Sequence, residues 1–251
     1  MNHNWLIKEL DKINLKNTTL IVGLPGIGNV GKITIDLLNE SLKTKPYMTF
    51  YSKNFPSTVM VEEDNLISTP LITLNYKNKK KGSFLFLTGD LQPSTDKDCY
   101  DFCKIIDDVC KKNKVETIIT LGGIGLKKEP TKPKLYITGN NKKTINQFSR
   151  KTKINKKIFG VVGPIMGVSG LLPAVTEIDS IILLAETIGS PLHVGIKGAK
   201  EIIKILNEKF NFKINLKKLN EYTETTENEK IEKINNLKNK PENGETINYF
   251  G

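Results

Sequence analysis

Apolar and polar positions fall along this chain in blocks whose length and period separate strands from helices. Short β-branched runs predict buried strands at residues 18–22, 47–51, 83–88, 115–121, 158–162 and 178–185, with another at 134–138. Helical periodicity predicts helices over 29–42, 94–112 and 194–210, with short ones at 4–13 and from about residue 167. Residues 57–61, 66–67 and 70–76 read as a meander, with Glu63-Asp64-Asn65 as turn chemistry. Apolar strands alternating with helices mean an α/β fold: a mainly parallel sheet flanked by helices, extended by antiparallel hairpins near 57–88.

The pattern changes after residue 212. Residues 1–212 form the α/β core domain in this reading. Residues 213–238 are helix-compatible but polar, with Leu219, Tyr222, Ile231, Ile234 and Leu237 as their few apolar anchors. Residues 239–251 carry Pro241 and Gly244 and predict a flexible tail that ends in apolar and aromatic residues. Two readings of that tip stand side by side: packing back on the domain, or docking on a partner.

Composition narrows the function classes. Net charge is +11, yet Arg150 is the only arginine, and base readout and stacking favour the planar guanidinium. The lysines alternate with Asn and Ile throughout, so nucleic acid is not the expected partner. Lys77 to Lys81 read as a solvated hairpin tip. The longest apolar runs fall short of the roughly 20 residues of a membrane span, and no secretory pattern opens the chain, so the expected location is cytoplasmic. Cys99, Cys103 and Cys110 share one helical face with Phe102, Ile106 and Val109, which predicts buried thiols. With His3 and His193 as the only histidines, no metal site is expected.

Three glycine-rich segments follow predicted strands. The first, Gly26-Ile27-Gly28-Asn29-Val30-Gly31, has the G-x-G-x-x-G spacing of a dinucleotide turn. Leu24-Pro25 intervenes after the strand, however, and Tyr51-Ser52-Lys53 stands where NAD needs a carboxylate. Ser52 and Lys53 leave room for an NADP phosphate. The same stretch nearly forms a P-loop, but Ile33 occupies the magnesium-binding position. Gly122-Gly123-Ile124-Gly125 forms the second segment and Gly167-Val168-Ser169-Gly170 the third, a near miss of a nucleophile turn with His193 as its only available base. Glu177, Asp179 and Glu186 are the acidic candidates, explained more simply by capping and core-edge hydrogen bonds. Three such turns would line one edge of the sheet, where α/β folds hold their ligands.

The ordered motifs Val22 to Gly31, Gly89-Asp90, Leu121 to Gly125, Gly163-Pro164-Ile165-Met166-Gly167-Val168-Ser169-Gly170-Leu171-Leu172 and Leu184-Ala185-Glu186-Thr187, then Gly189, resemble the proteasome assembly chaperone family, especially archaeal-type members. The family-marking positions are Gly23, Pro25, Gly26, Gly28, Gly31, Gly122, Gly123, Gly163, Pro164, Gly167 and Gly170. The resemblance spans residues 5–210 and implies a phosphorylase-like outline and a role without catalysis or cofactor. It also implies self-association and binding to the α-subunit ring of the proteasome core particle. It further implies docking through a C-terminal motif of a hydrophobic residue, a tyrosine and any last residue. Tyr249 fills the first place and Phe250 the second, with Gly251 offering its carboxylate to a lysine between α subunits. The phenolic hydroxyl missing at Phe250 removes one hydrogen bond, about 0.5–1.5 kcal/mol. The competing expectation is a nucleotide-dependent or phosphorylase-like enzyme that uses the crevice at the glycine turns.

Overall fold

The computed structural model of the chain describes residues 4–62, 64–190 and 193–215. The chain divides into two compact units, and the first, Met1–Ile214, holds every element described below. The polar segment beyond residue 215 and the aromatic terminus lie outside the described residues.

In chain order the strands are β1 (Trp5–Glu9), β2 (Thr18–Val22), β3 (Lys45–Ser52), β4 (Met60–Val61), β5 (Ile67–Ser68), β6 (Ile72–Lys79), β7 (Gly82–Gly89), β8 (Val115–Leu126), β9 (Leu135–Gly139) and β10 (Ser180–Ile188). The helices are α1 (Val30–Leu42), α2 (Asp96–Lys112), α3 (Lys142–Ser149), α4 (Val168–Val175) and α5 (Ile196–Phe210). Eight strands form one sheet in the order β1-β3-β6-β7-β2-β8-β10-β9, while β4 and β5 pair by themselves. The four central strands β7, β2, β8 and β10 run parallel, and the flanking pairs are antiparallel.

The centre of this sheet is covered on both faces, which is why its strands read as unbroken apolar runs. Leu20 and Val22 of β2 pack with Phe102, Cys103, Ile106 and Cys110 of α2 and Leu172 of α4. By alternation Ile21 turns to the opposite face, where α1 and α5 pack together. Burial pushes the Cys103 thiol up to about 12 and the Cys110 thiol upward as well. All three cysteines are free and buried, so they act as small apolar side chains. Helix α2 starts where Thr95 accepts from the Asp98 amide at 3.2 Å and ends with Lys111 and Lys112, both ends suiting the helix dipole.

Three expectations need correction. Residues 4–13 form no helix: β1 pairs antiparallel with β3 from Trp5↔Ser52 to Glu9↔Met48. Trp5 stacks on Phe102 at 4.6 Å, so one buried aromatic and a free strand edge outweigh a weak helical period. Residues 158–162 form no strand either. The edge position beside β9 is held by Asn155, whose amide and carbonyl pair with Leu135 and Ile137. The chain then turns at Gly160, with φ +79°, and lays Ile158 and Val162 over Ile124, Tyr136, Ile182 and Leu184.

The third concerns Gly122, Gly123 and Gly125. They do not end a strand in a turn but lie inside β8, paired along β10 from Leu184↔Gly122 to Ile188↔Leu126. A further helix, α3, has no counterpart in the sequence pattern. Its polar sequence buries no residue, which leaves little apolar period to read.

Candidate functional site

The first glycine turn leaves the end of β2 and crosses the ends of β8 and β10 before α1 begins. Here the residue type follows from backbone contact. A Cβ on Gly23 would lie 2.1 Å from the Gly31 carbonyl oxygen, and one on Gly31 would lie 2.7 Å from that of Leu121. Helix α1 is therefore seated directly on β8. Gly123 leaves space for the Ile27 carbonyl, whose oxygen is 2.3 Å from where its Cβ would stand. Gly28 has φ +59° and lies against Thr187, while Gly195 donates its amide to the Gly28 carbonyl at 2.7 Å. Gly123 of β8 and Gly23, Gly28 and Gly31 of the first turn thus form one packed unit.

Outside this unit an open cleft of about 500 Å³ is lined by Pro25, Gly26, Asn29, Gln92, Ser190 and His193, among others. It sits beyond the carboxyl ends of β2, β7 and β10, the usual ligand position of an α/β sheet. Pro25, Gly26 and Gly28 line it, whereas Gly23 and Gly31 are buried beneath it. The loops after β7 and β10 supply Gly189, one of the ordered motif positions, and Leu91, Gln92 and Ser190, residues without any motif of their own. The rule that ligands bind at strand carboxyl ends is the one signal pointing to them. Gly122 and Gly123 are absent from the lining, and so are Gly163, Pro164, Gly167 and Gly170. Gly167, with φ +74°, instead backs the cleft wall, since a Cβ there would meet Gln92 Oε1 at 2.6 Å. Gly163 and Pro164 are exposed on the loop before α4.

The nucleotide fingerprints fail in place as well as in sequence. Lys32 Nζ pairs with Asp36 at 2.9 Å, and Asp36 also accepts from Thr88, so this lysine is held along α1. Strand β3, whose end carries Tyr51-Ser52-Lys53, is separated from β2 by β6 and β7. A ribose held at the first turn would not reach it.

Ser169 does not meet His193. Its hydroxyl donates to the Leu121 carbonyl at 3.2 Å, and its own carbonyl accepts from Thr120 Oγ1 at 2.6 Å. That second bond replaces the one Pro173, four residues on in α4, has no N–H to give. His193 Nε2 is 3.6 Å from Glu129, which pairs with Lys197 at 3.0 Å. Glu186 is buried, accepting from the Lys134 amide at 2.9 Å and the Tyr136 hydroxyl at 3.1 Å. Burial first, and then the Glu186 carboxylate, raise the Tyr136 hydroxyl above its ordinary range. Asp179 accepts from Asn141 and Thr144 beside α3. Two of the three acidic candidates, Asp179 and Glu186, thus hold loops and strand edges, and Glu177 stands exposed. Tyr249, Phe250 and Gly251 lie outside the described residues.

Fold and cleft together define an α/β sheet, covered on both faces, whose glycine turn serves backbone packing. The chain belongs to the PAC2 family, whose model matches residues 20–234, and this bears out the family resemblance. An uncharacterized protein of Methanocaldococcus jannaschii is 25% identical over 256 residues, covering 98% of this chain and 96% of its own length. Among solved structures, Pyrococcus furiosus PbaB, an archaeal proteasome activator, overlays with a TM-score of 0.81 at 23% identity. The overlay covers 92% of this chain and 99% of PbaB. PbaA of the same organism, an archaeal homolog of proteasome-assembly chaperone, overlays with a TM-score of 0.75 at 21% identity, over 94% of this chain and 93% of its own. Among the described residues no helix is long and apolar enough to cross a membrane.

Proposed function

We propose that this protein is a cytoplasmic proteasome assembly chaperone or adaptor that works by binding and not by turnover. It self-associates, and each copy presents its C-terminal Tyr249-Phe250-Gly251 to the α-subunit ring of the core particle. The observation that carries this reading is PAC2 membership over most of the chain, with a fold that overlays nearly all of PbaB.

The chemistry of the terminus supports the docking mode. Two aromatic side chains can fill an apolar groove, and the Gly251 carboxylate can pair with a lysine beside it. Single contacts of this kind are weak. Several linked copies on one ring gain through effective concentration, which compensates for the hydroxyl that Phe250 lacks.

The test is capture by purified core particle, comparing the full chain with one ending at Asn248. The full chain is expected to be retained and the shortened chain lost. Equal retention of both would sink the tail mechanism, and retention of neither would sink the partner.

The cleft favours one competing reading, an enzyme or nucleotide-binding protein that uses the strand ends. A ligand at ten times its dissociation constant would stabilise the fold by about 1.4 kcal/mol. Thermal unfolding against a panel of nucleotides and NADP separates the two readings, and the chaperone reading expects no shift.

A further inference from the structure

Of the exposed apolar surfaces of the first unit, two carry charged rims of opposite sign. The first is the β4–β5 hairpin, in the connection from β3 to β6. Every described residue from Pro56 to Ile67 is exposed, including Val59, Met60, Val61, Leu66 and Ile67. Val61 is 72% exposed and Ile67 71%, so the paired strands bury neither face on the domain. A lone two-stranded hairpin is marginal in water. Its turn is acidic: Glu62 accepts from Ser68 Oγ, and Asp64 accepts from the Leu66 amide at 3.1 Å.

The second surface is the loop that covers Ile124, Tyr136, Ile182 and Leu184. Ile158, Val162 and Ile165 face inward, while Phe159, Val161 and Met166 face solvent, Met166 being 84% exposed. Its rim is basic, with Lys156 and Lys157 both exposed. Lys156 donates to Asn146 at 3.2 Å. Among the described residues neither rim's charges are engaged in an ion pair.

The surfaces lie at different positions across the sheet. From β6 to β10 is four strand steps, roughly 20 Å at about 4.8 Å each. Pairing either surface with itself in a two-fold contact would set like charges together. Pairing the hairpin of one copy with the loop of the next sets acid against lysine around two apolar patches. We propose that the β4–β5 hairpin of one copy docks on the Phe159–Met166 loop of a second copy in a head-to-tail contact that closes into a ring. Such a contact is heterologous, and a closed ring leaves neither of these two patches bare. The proposal deepens the self-association in the function proposed above and is independent of the tail.

Native mass measurement of the full chain tests it, with two variants altered only at exposed positions. One carries Val61→Ser and Ile67→Ser, the other Phe159→Ser and Met166→Ser. The unaltered chain is expected as a discrete multimer and each variant as a monomer. An equimolar mixture of the two variants is expected to form dimers and nothing larger, because one intact hairpin then meets one intact loop. A monomeric unaltered chain, variants that keep the full mass, or a mixture that stays monomeric would each overturn the contact. Glu62→Lys with Asp64→Lys is expected to weaken assembly at least tenfold, and adding Lys156→Glu with Lys157→Glu to restore it. Failure to restore would also overturn it. Core-particle capture is read separately, so loss of capture by an intact ring counts against the proposed function and not against this contact.

Discussion

The two ends of the parallel sheet differ in what holds the elements that meet there. At the carboxyl ends of the strands, Gly23, Gly31 and Gly123 let main chain press on main chain, and side chains are excluded. At the other end Gly139 also meets main chain, a Cβ there lying 2.1 Å from the Ser180 oxygen, but side chains clamp the connections as well. Asp107 of α2 accepts from Thr176 at 2.7 Å and pairs with Lys111 at 2.7 Å. Asn140 donates to the Ile178 carbonyl at 2.9 Å and accepts from the Ser180 amide at 2.8 Å. Ser83 links Asn78 to the Lys16 amide. Where main chain meets main chain no atom can be added, whereas the side-chain clamps can lose one bond at a time. That difference explains why the family-marking positions crowd at the cleft end, although several of them never touch the cleft.

The strongest way to break the comparison is Gly23→Ala. The new methyl would lie 2.1 Å from the Gly31 oxygen and 2.6 Å from Ile35 Cγ1, so helix and strand must part. Overpacking of this kind costs about 1–3 kcal/mol and occasionally more, and backbone contact places this site at the upper end. Urea unfolding of the full chain should show a lower midpoint with an unchanged slope. An unchanged midpoint would mean that the close seat of α1 on β8 is not specified by these glycines.

Asp107→Ala tests the clamped end and is expected to cost about 1.5–3 kcal/mol, the range for hydrogen bonds to a charged group. Burial alone would raise this carboxyl. The Lys111 and Thr176 hydrogen bonds, with the charges of Lys111 and Lys104, hold it below the ordinary carboxylate value. Its stabilising effect is therefore complete above the unfolded value, about 3.9, and disappears as pH falls through the lower folded value. Unfolding of the two proteins should differ by a constant amount from neutral pH to about 5 and converge in stronger acid. A difference that grew on acidification would reverse the assignment.

The same contrast governs what the sequence disclosed. Central strands such as β7, Gly82–Gly89, were legible because burial on both faces leaves an unbroken apolar run. The peripheral strand β1 was not, since only Trp5 of its five residues is buried and its partner is some 40 residues away. Periodicity cannot register a pairing across that distance. In β8 the glycines misled, because glycine signals a turn locally while here it makes room for Ile27. The cleft was legible as a location, from glycines at strand ends, but Gln92 and Ser190 reach it only through loops that carry no pattern. The clamps at the other end carry no readable signal, because Asp107 reads as an ordinary polar position of α2 and Asn140 and Thr176 as ordinary turn chemistry.

The smallest expected effect separates glycines within a single turn. Gly28 has φ +59° and a Cβ there would meet Thr187 at 2.8 Å, so Gly28→Ala is strained and crowded together. Gly26, two residues earlier, is extended with φ −173°, and a Cβ there would meet nothing within 4 Å. Its amide faces Asn29 Oδ1 at 3.3 Å, a bond alanine keeps. Gly26→Ala should therefore leave the midpoint unchanged or raise stability by about 0.4–1 kcal/mol, because the unfolded chain loses freedom. A dinucleotide turn needs this first glycine for its tight bend, whereas a packing turn does not. Full core-particle capture by Gly26→Ala, with unfolding no earlier than the unaltered chain, is the outcome expected if the turn is a seat for α1. A marked loss of stability would show that Gly26 belongs to the packed unit after all.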